Sequence, residues 1–548
     1  MSESKKDGII VQAGILAMAS VISRIIGLLY TSPLTAIIGD TGNGYYSAAY
    51  QIYVIVLLIS SFSIPSAMAK ILSQKIALGE YRNAQRIFHC VLIYVVVVGG
   101  IASIILYVFA DRFVMGNSVT VLKAFAPTVF LSGLLGSLRG FFQAQKTMVP
   151  TSISQIIEQI ANAVVSMGAA YFLMQLVIDT SATNRAMYGA IGSALGTGSG
   201  VAIGLIFMLY IYRHKRDSFL EKVRNDKHEV LEYKPIFRLI ISIITPFILS
   251  TCIYNVSSFL NYEIFSNILV NIKKMDYDAV ATVYGIYSRK ALVITNLPIA
   301  LASAMASAMM PSISSSYARG DKEATRNTIN KAMRTIMMLV IPATVGLIVL
   351  SEPIMMILYP QKASLAHAAS LMSVLAVTVV FYSVSTLSNA VLQGVGRVNI
   401  PVINASVALV IQTVVLTLML IFSDFNSYAL AIASICYSFL MCVLNSMALK
   451  TKIKLNQDIK KLYVIPAICS IIMGVIAFIV YDFFAILFDK IISREYFVNL
   501  CALIIAVIVA VVVYAVLMIA LKGATENEIA ALPKGVKIVR FLKKVHLL

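Results

Sequence analysis

The stretch ASVISRIIGLLYTSPL, residues 19–34, places a single arginine among apolar and small residues. No Asp, Glu, Lys or Arg follows Arg24 until Asp40. The apolar segment around Arg24 covers about 30 residues, whereas a helix needs only about 20 to cross the hydrocarbon core of a bilayer. A charged side chain at that depth is costly and is rarely kept without a partner or a function. The stretch therefore predicts a first membrane-spanning helix whose arginine has a specific role.

The composition of the whole chain extends this prediction. Of 548 residues, 59% are hydrophobic and 13% are charged, whereas about a quarter of the residues of a soluble protein are charged. Apolar runs long enough to span a membrane recur along the chain, which predicts an all-α polytopic membrane protein. Its polar connections separate fourteen predicted spans, which begin near residues 9, 44, 90, 119, 151, 188, 236, 280, 332, 367, 401, 427, 462 and 498.

The basic residues predict the orientation of these spans. With the N-terminus in the cytoplasm, alternate connections hold 33 of the 44 Lys and Arg residues and the opposite connections hold 7. Because cytoplasmic loops are enriched in Lys and Arg, both termini are expected to be cytoplasmic. The net charge of +19 then reflects topology, so no nucleic-acid partner is expected. The first apolar segment is too long for the core of a signal peptide, and a cleavable leader is not expected.

The longest hydrophilic connection, RHKRDSFLEKVRNDKHEVLEYKP (213–235), follows the sixth span. It predicts an N-terminal six-helix lobe (1–212), a cytoplasmic linker (213–235), a second six-helix lobe (236–450), and two further helices with a basic tail (451–548). Two pairs of similar segments support an internal repeat: 77–86 with 318–326, and 143–150 with 393–401, at offsets of 241 and 250. Repeated halves are a known transporter plan.

No catalytic or metal-binding pattern is present in the sequence. It has no GxxxxGK[ST] motif, and neither its six cysteines nor its five histidines have ligand spacing. The stretch GTGSG (196–200) belongs to a four-residue glycine pattern, which favours a close-packing helix face over a phosphate loop. We expect neither an enzyme nor a cofactor, and a membrane potential or an ion gradient is the expected energy source.

Three cations lie inside predicted spans and are candidate substrate-binding residues: Arg24, Arg289 and Lys290. A guanidinium suits phosphate because its planar fork donates two parallel hydrogen bonds and stays charged. For Arg24 the structural alternative is a buried ion pair with an acid such as Glu158. Lys290 is expected either to snorkel or to face a groove.

The acids and prolines of the spans have open roles. Asp40, Glu158 and Glu263 are candidates for ion coupling or for structural roles; Glu158 is favoured as a packing brace, and Glu263 lies near the outer interface. Pro33 and Pro246 lie in the first helix of each predicted half. A proline inside a spanning helix frees a backbone carbonyl, so each is expected to be either a static kink or a moving hinge.

The N-terminal region also resembles a known family of membrane proteins. The resemblance is carried by Ser23-Arg24-x-x-Gly27, Gly39-Asp40, Gly44-Tyr45-Tyr46 and Ile64-Pro65 before a basic connection. These elements, together with the fourteen-span plan, resemble the multidrug/oligosaccharidyl-lipid/polysaccharide (MOP) flippase superfamily. Within it, the sequence most resembles the branch of the stage V sporulation protein B-like proteins, near the MurJ-type lipid II flippases.

The resemblance implies a fold and a function. It implies two lobes in a V-shaped arrangement that alternately open a cationic cavity, with the last two helices holding a lipid tail. The implied substrate is lipid II or a related undecaprenyl-pyrophosphate-linked oligosaccharide, moved to the outer leaflet of the bacterial plasma membrane for peptidoglycan and cell-wall biosynthesis. Arg24 matches an important arginine of the MurJ-type members, and Arg289 loosely matches a basic residue of the eighth helix. The cationic pair of the second helix is missing here.

Two other functions remain open at this point. A cation-coupled multidrug exporter of the same superfamily would use buried acids, whereas the mid-depth charges here are mainly basic. A membrane glycosyltransferase would need a large outer loop, and the predicted outer connections are short. The expected partners are a lipid-linked pyrophosphoryl sugar and the bilayer, and a monomer is the expected oligomeric state.

Overall fold

The computed structural model of the protein is almost entirely helical. It describes residues 3–62, 64–455, 457–521 and 523, and within them the side chains other than those of residues 3–14, 17, 62, 66, 243–254, 308 and 311. Helices dominate because lipid cannot hydrogen-bond the backbone, so a spanning segment must satisfy its own N–H and C=O groups. In chain order the helices are α1 (Glu3–Leu57), α2 (Ile64–Ala77), α3 (Tyr81–Tyr94), α4 (Gly100–Val108), α5 (Ala110–Phe113), α6 (Ser118–Ala144), α7 (Val149–Leu176), α8 (Ala182–Asn225), α9 (Tyr233–Asn267), α10 (Tyr277–Gly285), α11 (Leu292–Ala318), α12 (Lys322–Val349), α13 (Ser351–Leu358), α14 (Lys362–Gly394), α15 (Asn399–Phe422), α16 (Ser427–Ile453), α17 (Ile465–Asp489) and α18 (Glu495–Ala520).

Five short π-helical segments interrupt or extend these helices. They are Leu58–Phe62, Val95–Gly99, Ile268–Ile272, Ile286–Ala291 and Lys460–Val464. A π-helical turn inserts an extra residue into a helix and is frequent at functional sites. The fourth segment contains both Arg289 and Lys290. Its π-helical turn therefore sets the directions of two of the predicted substrate-binding side chains.

The described residues contain twelve helical segments that are long and apolar enough to cross a membrane. This establishes an all-α, multi-pass membrane protein, while the count of fourteen stays a prediction. Two features bear on the count. The segment Met18–Ser61 contains a break, since Gly39 has φ 70° and ψ −179°. Helix α9 includes residues 243–254, whose side chains lie outside the described part of the chain.

The break in α1 occurs at Gly39 and not at Pro33. Gly39 is the residue of α1 with non-helical backbone angles, and its positive φ is readily adopted by glycine. The helix runs through Pro33 with helical angles. The hinge role of Pro33 stays a prediction, as does that of Pro246, whose side chain falls outside the described residues.

The chain forms two compact units, one through Arg289 and the other from Lys290. In the first unit, α2, α3, α6 and α8 enclose an apolar core that includes Ile71, Phe88 and Phe141. In the second, α11, α12, α14 and α16 enclose a core that includes Ile336 and Leu387. The predicted lobe limits, with the linker 213–235 between them, stay a prediction.

The glycine pattern of span six packs α8 closely against α7. A Cβ placed on Gly192, Gly196 or Gly200 would overlap Ala170, Ser166 or the backbone of Glu158, respectively. Small residues at four-residue spacing let two helix backbones approach each other. The prediction of a packing face is therefore confirmed.

Both segment pairs that suggested an internal repeat have matching backbone turns. Gly79 and Gly320 occupy the same position in the first pair of segments and have φ values of 79° and 76°. Lys146 and Gly396 occupy the same position in the second pair and have φ values of 61° and 80°. Each of these residues follows the end of a helix, where a left-handed conformation is a common stop.

The hydrogen bonds of these turns match as well. The N–H groups of Glu80 and Asp321 donate to the carbonyls of Lys75 and Ser316, at 3.0 and 3.2 Å. In the second pair, the N–H groups of Thr147 and Arg397 donate to the carbonyls of Phe142 and Leu392, at 3.1 and 2.8 Å. These closures satisfy helix-end carbonyls in the same way in both halves. The repeat is thus visible in the backbone as well as in the sequence.

Candidate functional site

Arg24 lies on the face of α1 that follows α7. Four residues earlier, the Ser20 hydroxyl donates to Gln155 Oε1 at 3.4 Å. Three residues later, a Cβ on Gly27 would lie 3.8 Å from Gln159 Oε1. Residues at these spacings share a helix face, which places Arg24 between the two contacts. The Arg24 side chain is exposed, and no carboxylate of the described residues forms an ion pair with it.

Glu158 forms an ion pair with Arg139 instead of Arg24. Arg139 Nη2 lies 2.7 Å from Glu158 Oε2, and Arg139 Nε donates to the Ser154 hydroxyl at 2.8 Å. The side chains of Arg139 and Glu158 are 14% and 22% exposed. The sequence placed Arg139 in a connection, but α6 continues to Ala144 and carries it inside the helix. The pairing of Arg24 with Glu158 that we considered is not formed.

A row of polar side chains follows α7 through the first unit. Gln155, Glu158 and Gln159 occupy adjacent positions, and one turn later Asn162 Nδ2 donates to the Tyr30 hydroxyl at 3.3 Å. Arg24 lies beside this row. The geometry gives the first unit a polar, partly exposed surface next to a cation that has no carboxylate partner among the described residues.

Arg289 is positioned by an aromatic ring and an amide. Its guanidinium carbon lies 4.7 Å from the centroid of the Tyr46 ring. Its Nε donates to Asn43 Oδ1 at 3.4 Å. Cation–π contacts of this kind hold an arginine in place without neutralising its charge. Arg289 and Arg24 both belong to the first unit but contact different helices.

Tyr46 is the first member of an aromatic cluster. The Tyr46 and Tyr50 rings stack at 5.7 Å, and Tyr53 stacks on Phe125 at 4.8 Å. Tyr46, Tyr50 and Tyr53 share one helix face because they are four and three residues apart. The Tyr46 hydroxyl lies 3.3 Å from the Thr197 hydroxyl, which fixes the ring beneath Arg289.

The segment 40–57 of α1 meets α10 and the π-helical segment that follows it, Ile286–Ala291, at a close junction. The Thr41 and Thr282 hydroxyls lie 2.8 Å apart, and the Ser288 hydroxyl donates to Ser47 at 2.9 Å. The two members of each pair are separated in the chain by 241, the first offset of the internal repeat. Equivalent residues of the two repeats therefore face each other, as they do across a local two-fold axis.

A second polar contact reinforces this junction. The Tyr45 hydroxyl donates to Asp278 Oδ1 at 2.5 Å and also accepts from Asn117 at 3.2 Å. Tyr277 hydrogen-bonds Ser118 at 2.6 Å. The contacts tie α10 to α6 as well as to α1.

Lys290 differs from its neighbour Arg289. It is 1% exposed, and its ammonium donates to the Ser364 hydroxyl at 2.8 Å. The ammonium also lies 5.8 Å from the centroid of the Tyr359 ring. These partners belong to the second unit, so the two consecutive cations have separate environments. The predicted substrate-binding role of Lys290 stays a prediction.

The remaining predicted acids occupy less central positions. Asp40 is partly buried directly after the break at Gly39. Glu263 accepts a hydrogen bond from Asn267 Nδ2 at 3.1 Å near the end of α9. Ion coupling by any of these acids stays a prediction.

The second unit has an uncharged network where the first has an ion pair. Asn389 corresponds to Arg139 by the second offset of the repeat, and it accepts from Asn445 Nδ2 at 2.7 Å. Asn445 Oδ1 in turn accepts from Asn404 at 2.8 Å, and Asn445 is fully buried. In the described part of the chain, no group of three or more His, Cys, Asp or Glu side chains is placed to hold a metal ion.

Two contacts of the candidate site were not predicted from the sequence. Arg289 contacts Asn43 and Tyr46. The spacing of the tyrosines along 45–53 is typical of an aromatic helix face and could have indicated the contact with Tyr46. The ion pair of Arg139 with Glu158 had a weaker signal, because its two residues lie on helices whose ends the sequence leaves uncertain.

Comparison with known proteins identifies the family. The model of the family "Lipid II flippase MurJ" matches residues 81–506. The chain is 26% identical over 450 residues to the lipid II flippase MurJ of Bacillus subtilis (strain 168), covering 78% of this chain and 81% of the relative. It is 22% identical over 485 residues to stage V sporulation protein B of the same organism, covering 84% and 88%.

Solved structures show the same fold. A lipid II flippase MurJ in an inward closed conformation matches with a TM-score of 0.66 at 16% identity, covering 92% of this chain and 97% of that chain. An inward-facing multidrug resistance MATE family transporter of the MOP superfamily matches with a TM-score of 0.60 at 16% identity, covering 81% and 98%. The family match spans most of the sequence, and this chain therefore belongs to the lipid II flippase MurJ family of the MOP superfamily.

Proposed function

We propose that this protein is a flippase that moves lipid II, or a related undecaprenyl-pyrophosphate-linked oligosaccharide, from the inner to the outer leaflet of the bacterial plasma membrane. Membership of the MurJ family supports this function. Alternating access is the proposed mechanism, with a membrane potential or an ion gradient as the energy source. Both termini are proposed to be cytoplasmic, in keeping with the basic asymmetry of the connections.

The observation that carries the proposal is the environment of the Arg24 side chain. It lies well inside the first predicted span, its side chain is exposed, and Glu158 is occupied by Arg139. A guanidinium kept in a membrane protein without a carboxylate partner is suited to an anionic ligand. The pyrophosphate of a lipid-linked sugar offers the oxygens that its planar fork binds.

We assign Arg289 as the second pyrophosphate ligand. Tyr46 and Asn43 hold its guanidinium in place, and the planar fork of an arginine suits phosphate oxygens. The burial of Lys290 against Ser364 favours a structural role for that residue. The exposed apolar faces of α17 and α18 are suited to the lipid tail.

The junction of α1 with α10 is proposed to be the outer gate. By the predicted orientation it lies at the outer side of the membrane, and small residues allow it to close tightly. Opening would require the hydrogen bond from Tyr45 to Asp278 to separate, together with the uncharged hydroxyl contacts Thr41–Thr282 and Ser47–Ser288. Each such uncharged contact contributes only about 1 kcal/mol, which suits a reversible gate.

A multidrug exporter of the same superfamily is the competing function. Such an exporter would need buried acids that are available to cations. Here Glu158 is held by Arg139, and Glu263 accepts from Asn267. The arrangement of charges therefore supports an anionic substrate.

Replacement of the only lipid II flippase of a bacterium tests the proposal. Cells depleted of that flippase should grow and expose lipid II at the outer leaflet when they express this protein. They should not do so when they express the Arg24→Ala variant at an equal level. If the wild-type protein is present in the membrane but the cells neither grow nor expose lipid II, the proposed function is refuted.

A further inference from the structure

A cavity of about 530 Å³ that is widely open to solvent lies at the end of α8, and neither Arg24 nor Arg289 lines it. Arg213 to Lys222 adds nine residues of helix, or about 14 Å, beyond the last apolar turns of α8. By the predicted orientation this end is cytoplasmic. The lining includes Gly79, Tyr81, Lys222, Asp226, Lys227 and His228.

Asp226 is the one acid among the described residues that line the cavity, and it is hydrogen-bonded to neighbouring residues. Asp226 Oδ2 accepts the Arg82 N–H at 2.8 Å, and Asp226 Oδ1 accepts the His228 N–H at 2.9 Å. His228 Nδ1 lies 2.6 Å from the same oxygen, and the Asp226 side chain is 1% exposed. The two backbone donors hold the pKa of Asp226 low, at about 2. The carboxylate is therefore ionised, and both of its oxygens already accept hydrogen bonds from the wall of the cavity.

Hydrogen bonds fix the segment that closes the cavity. Asn83 Oδ1 accepts the Leu231 N–H at 2.8 Å, and Asn83 Nδ2 donates to the carbonyl of Glu229 at 3.0 Å. Arg86 donates to the carbonyl of Leu231 at 2.8 Å. The segment after α8 is therefore tied to the first turns of α3. A wall that is ordered before binding avoids part of the entropy cost of holding a ligand.

The basic side chains of the cavity remain available. The Lys222 ammonium lies 5.7 Å from the centroid of the Tyr81 ring, which orients it without an acid. The His228 ring is 55% exposed, and because its contact with Asp226 uses Nδ1, the Nε2–H of the protonated ring can donate to an anion. Lys227 adds a second ammonium. The cavity thus combines two lysines, one imidazole and a carboxylate that is already satisfied.

We propose that this cavity is a second, cytoplasmic anion site that binds a small phosphate-bearing group on Lys222, Lys227 and His228. Free pyrophosphate and the headgroup of an anionic phospholipid share this chemistry. The site is independent of lipid II binding at Arg24 and Arg289.

Pyrophosphate binding to the full-length Arg24→Ala/Arg289→Ala protein in detergent tests the site, because this background removes the proposed substrate ligands. Calorimetry should show saturable binding. Adding Lys222→Gln, Lys227→Gln and His228→Gln should weaken it at least about tenfold, the equivalent of one lost charge-assisted contact. The matched control, Lys215→Gln/Arg216→Gln, removes two charges from α8 outside the cavity and should bind like the background.

A second experiment, with lipid, distinguishes free pyrophosphate from a phospholipid headgroup as the source of the phosphate. Nanodiscs with or without phosphatidylglycerol should reveal whether the lipid stabilises the protein thermally and whether the cavity substitutions abolish that effect. Binding of either probe that depends on the cavity residues supports the site. Binding of neither probe, or equal loss in the control, overturns it. The single variant Lys227→Gln, on the exposed rim, should show the same direction if the triple variant does not fold.

Discussion

Gly44 and Gly285 lie against each other's helix at the junction of α1 and α10, and they occupy equivalent positions of the internal repeat. A Cβ on Gly44 would overlap the carbonyl group of Ala281, and a Cβ on Gly285 would overlap backbone atoms of Asp40 and Gly44. Each repeat therefore contributes one glycine to the space that this single contact needs.

Gly44→Ala and Gly285→Ala should each impair flipping, because the added methyl group forces the two helices apart. Overpacking of this kind costs about 1 to 3 kcal/mol, which should lower the thermal unfolding temperature in detergent. The control is Gly346→Ala in α12, where a Cβ meets no atom within 4 Å. Full lipid II exposure by both junction variants would show that the contact need not close.

Arg24→Ala should abolish growth in the replacement assay without lowering abundance, because no carboxylate of the described residues depends on Arg24. Loss of one charge-assisted contact of about 1.5 to 3 kcal/mol would weaken pyrophosphate binding about 10- to 150-fold. Arg24→Lys should restore growth only in part, because lysine lacks the planar fork.

Arg289→Ala should act in the same direction, and its effect should not add to that of Arg24→Ala if both residues bind one phosphate group. Quantitative immunoblotting beside lipid II exposure separates activity from abundance. A stable and fully active Arg24→Ala protein would remove this arginine from the site.

Arg139→Ala and Glu158→Ala should both lower thermal stability, since each leaves a largely buried charge without its partner. A loss of about 1 to 3 kcal/mol is expected for each single variant. The double variant should lose less than the sum of the two, as measured by thermal unfolding in a double-mutant cycle. Additive losses would mean that the pair does not couple.

Lys146→Gly should stabilise the protein, because Lys146 has a positive φ of 61° that glycine adopts at lower cost. The expected gain in the free energy of unfolding is about 0.5 to 1 kcal/mol. The reverse change in the equivalent turn, Gly396→Ala, should destabilise by a similar amount. Unchanged unfolding temperatures for both variants would contradict the role of these turns.

Reporter fusions after residue 227 and at the C-terminus should both score cytoplasmic. The basis is the asymmetry of 33 basic residues on one side against 7 on the other. A signal from the outer side at either position would overturn the orientation, and with it the placement of the outer gate.

Periodic and compositional features of the sequence predicted much of the fold. Apolar run length indicated spanning helices, and the constant offset between similar segments indicated the repeat that Gly79 and Gly320 now display in their backbone angles. The close packing of α8 on α7 followed from glycine spacing alone. These features are local, so neighbouring residues suffice to show them.

The partners of the charged residues were harder to predict. Arg24 was the partner considered for Glu158, and the pairing with Arg139 depends on how far α6 continues before it ends at Ala144. The separate environments of Arg289 and Lys290 depend on a π-helical turn, which changes the direction of side chains without a distinct sequence signal. Both the partner of Glu158 and the environments of these two cations depend on tertiary packing.

The ion pair of Arg139 and the amide network of Asn389 occupy equivalent positions in the two repeats. If the halves arose by gene duplication, their ancestor had one kind of polar contact at this position, whereas the two present halves have different ones. Each copy was then free to accumulate substitutions without disturbing the other. Substitutions around the charged pair of one repeat are therefore expected to leave the neutral network of the other repeat in place.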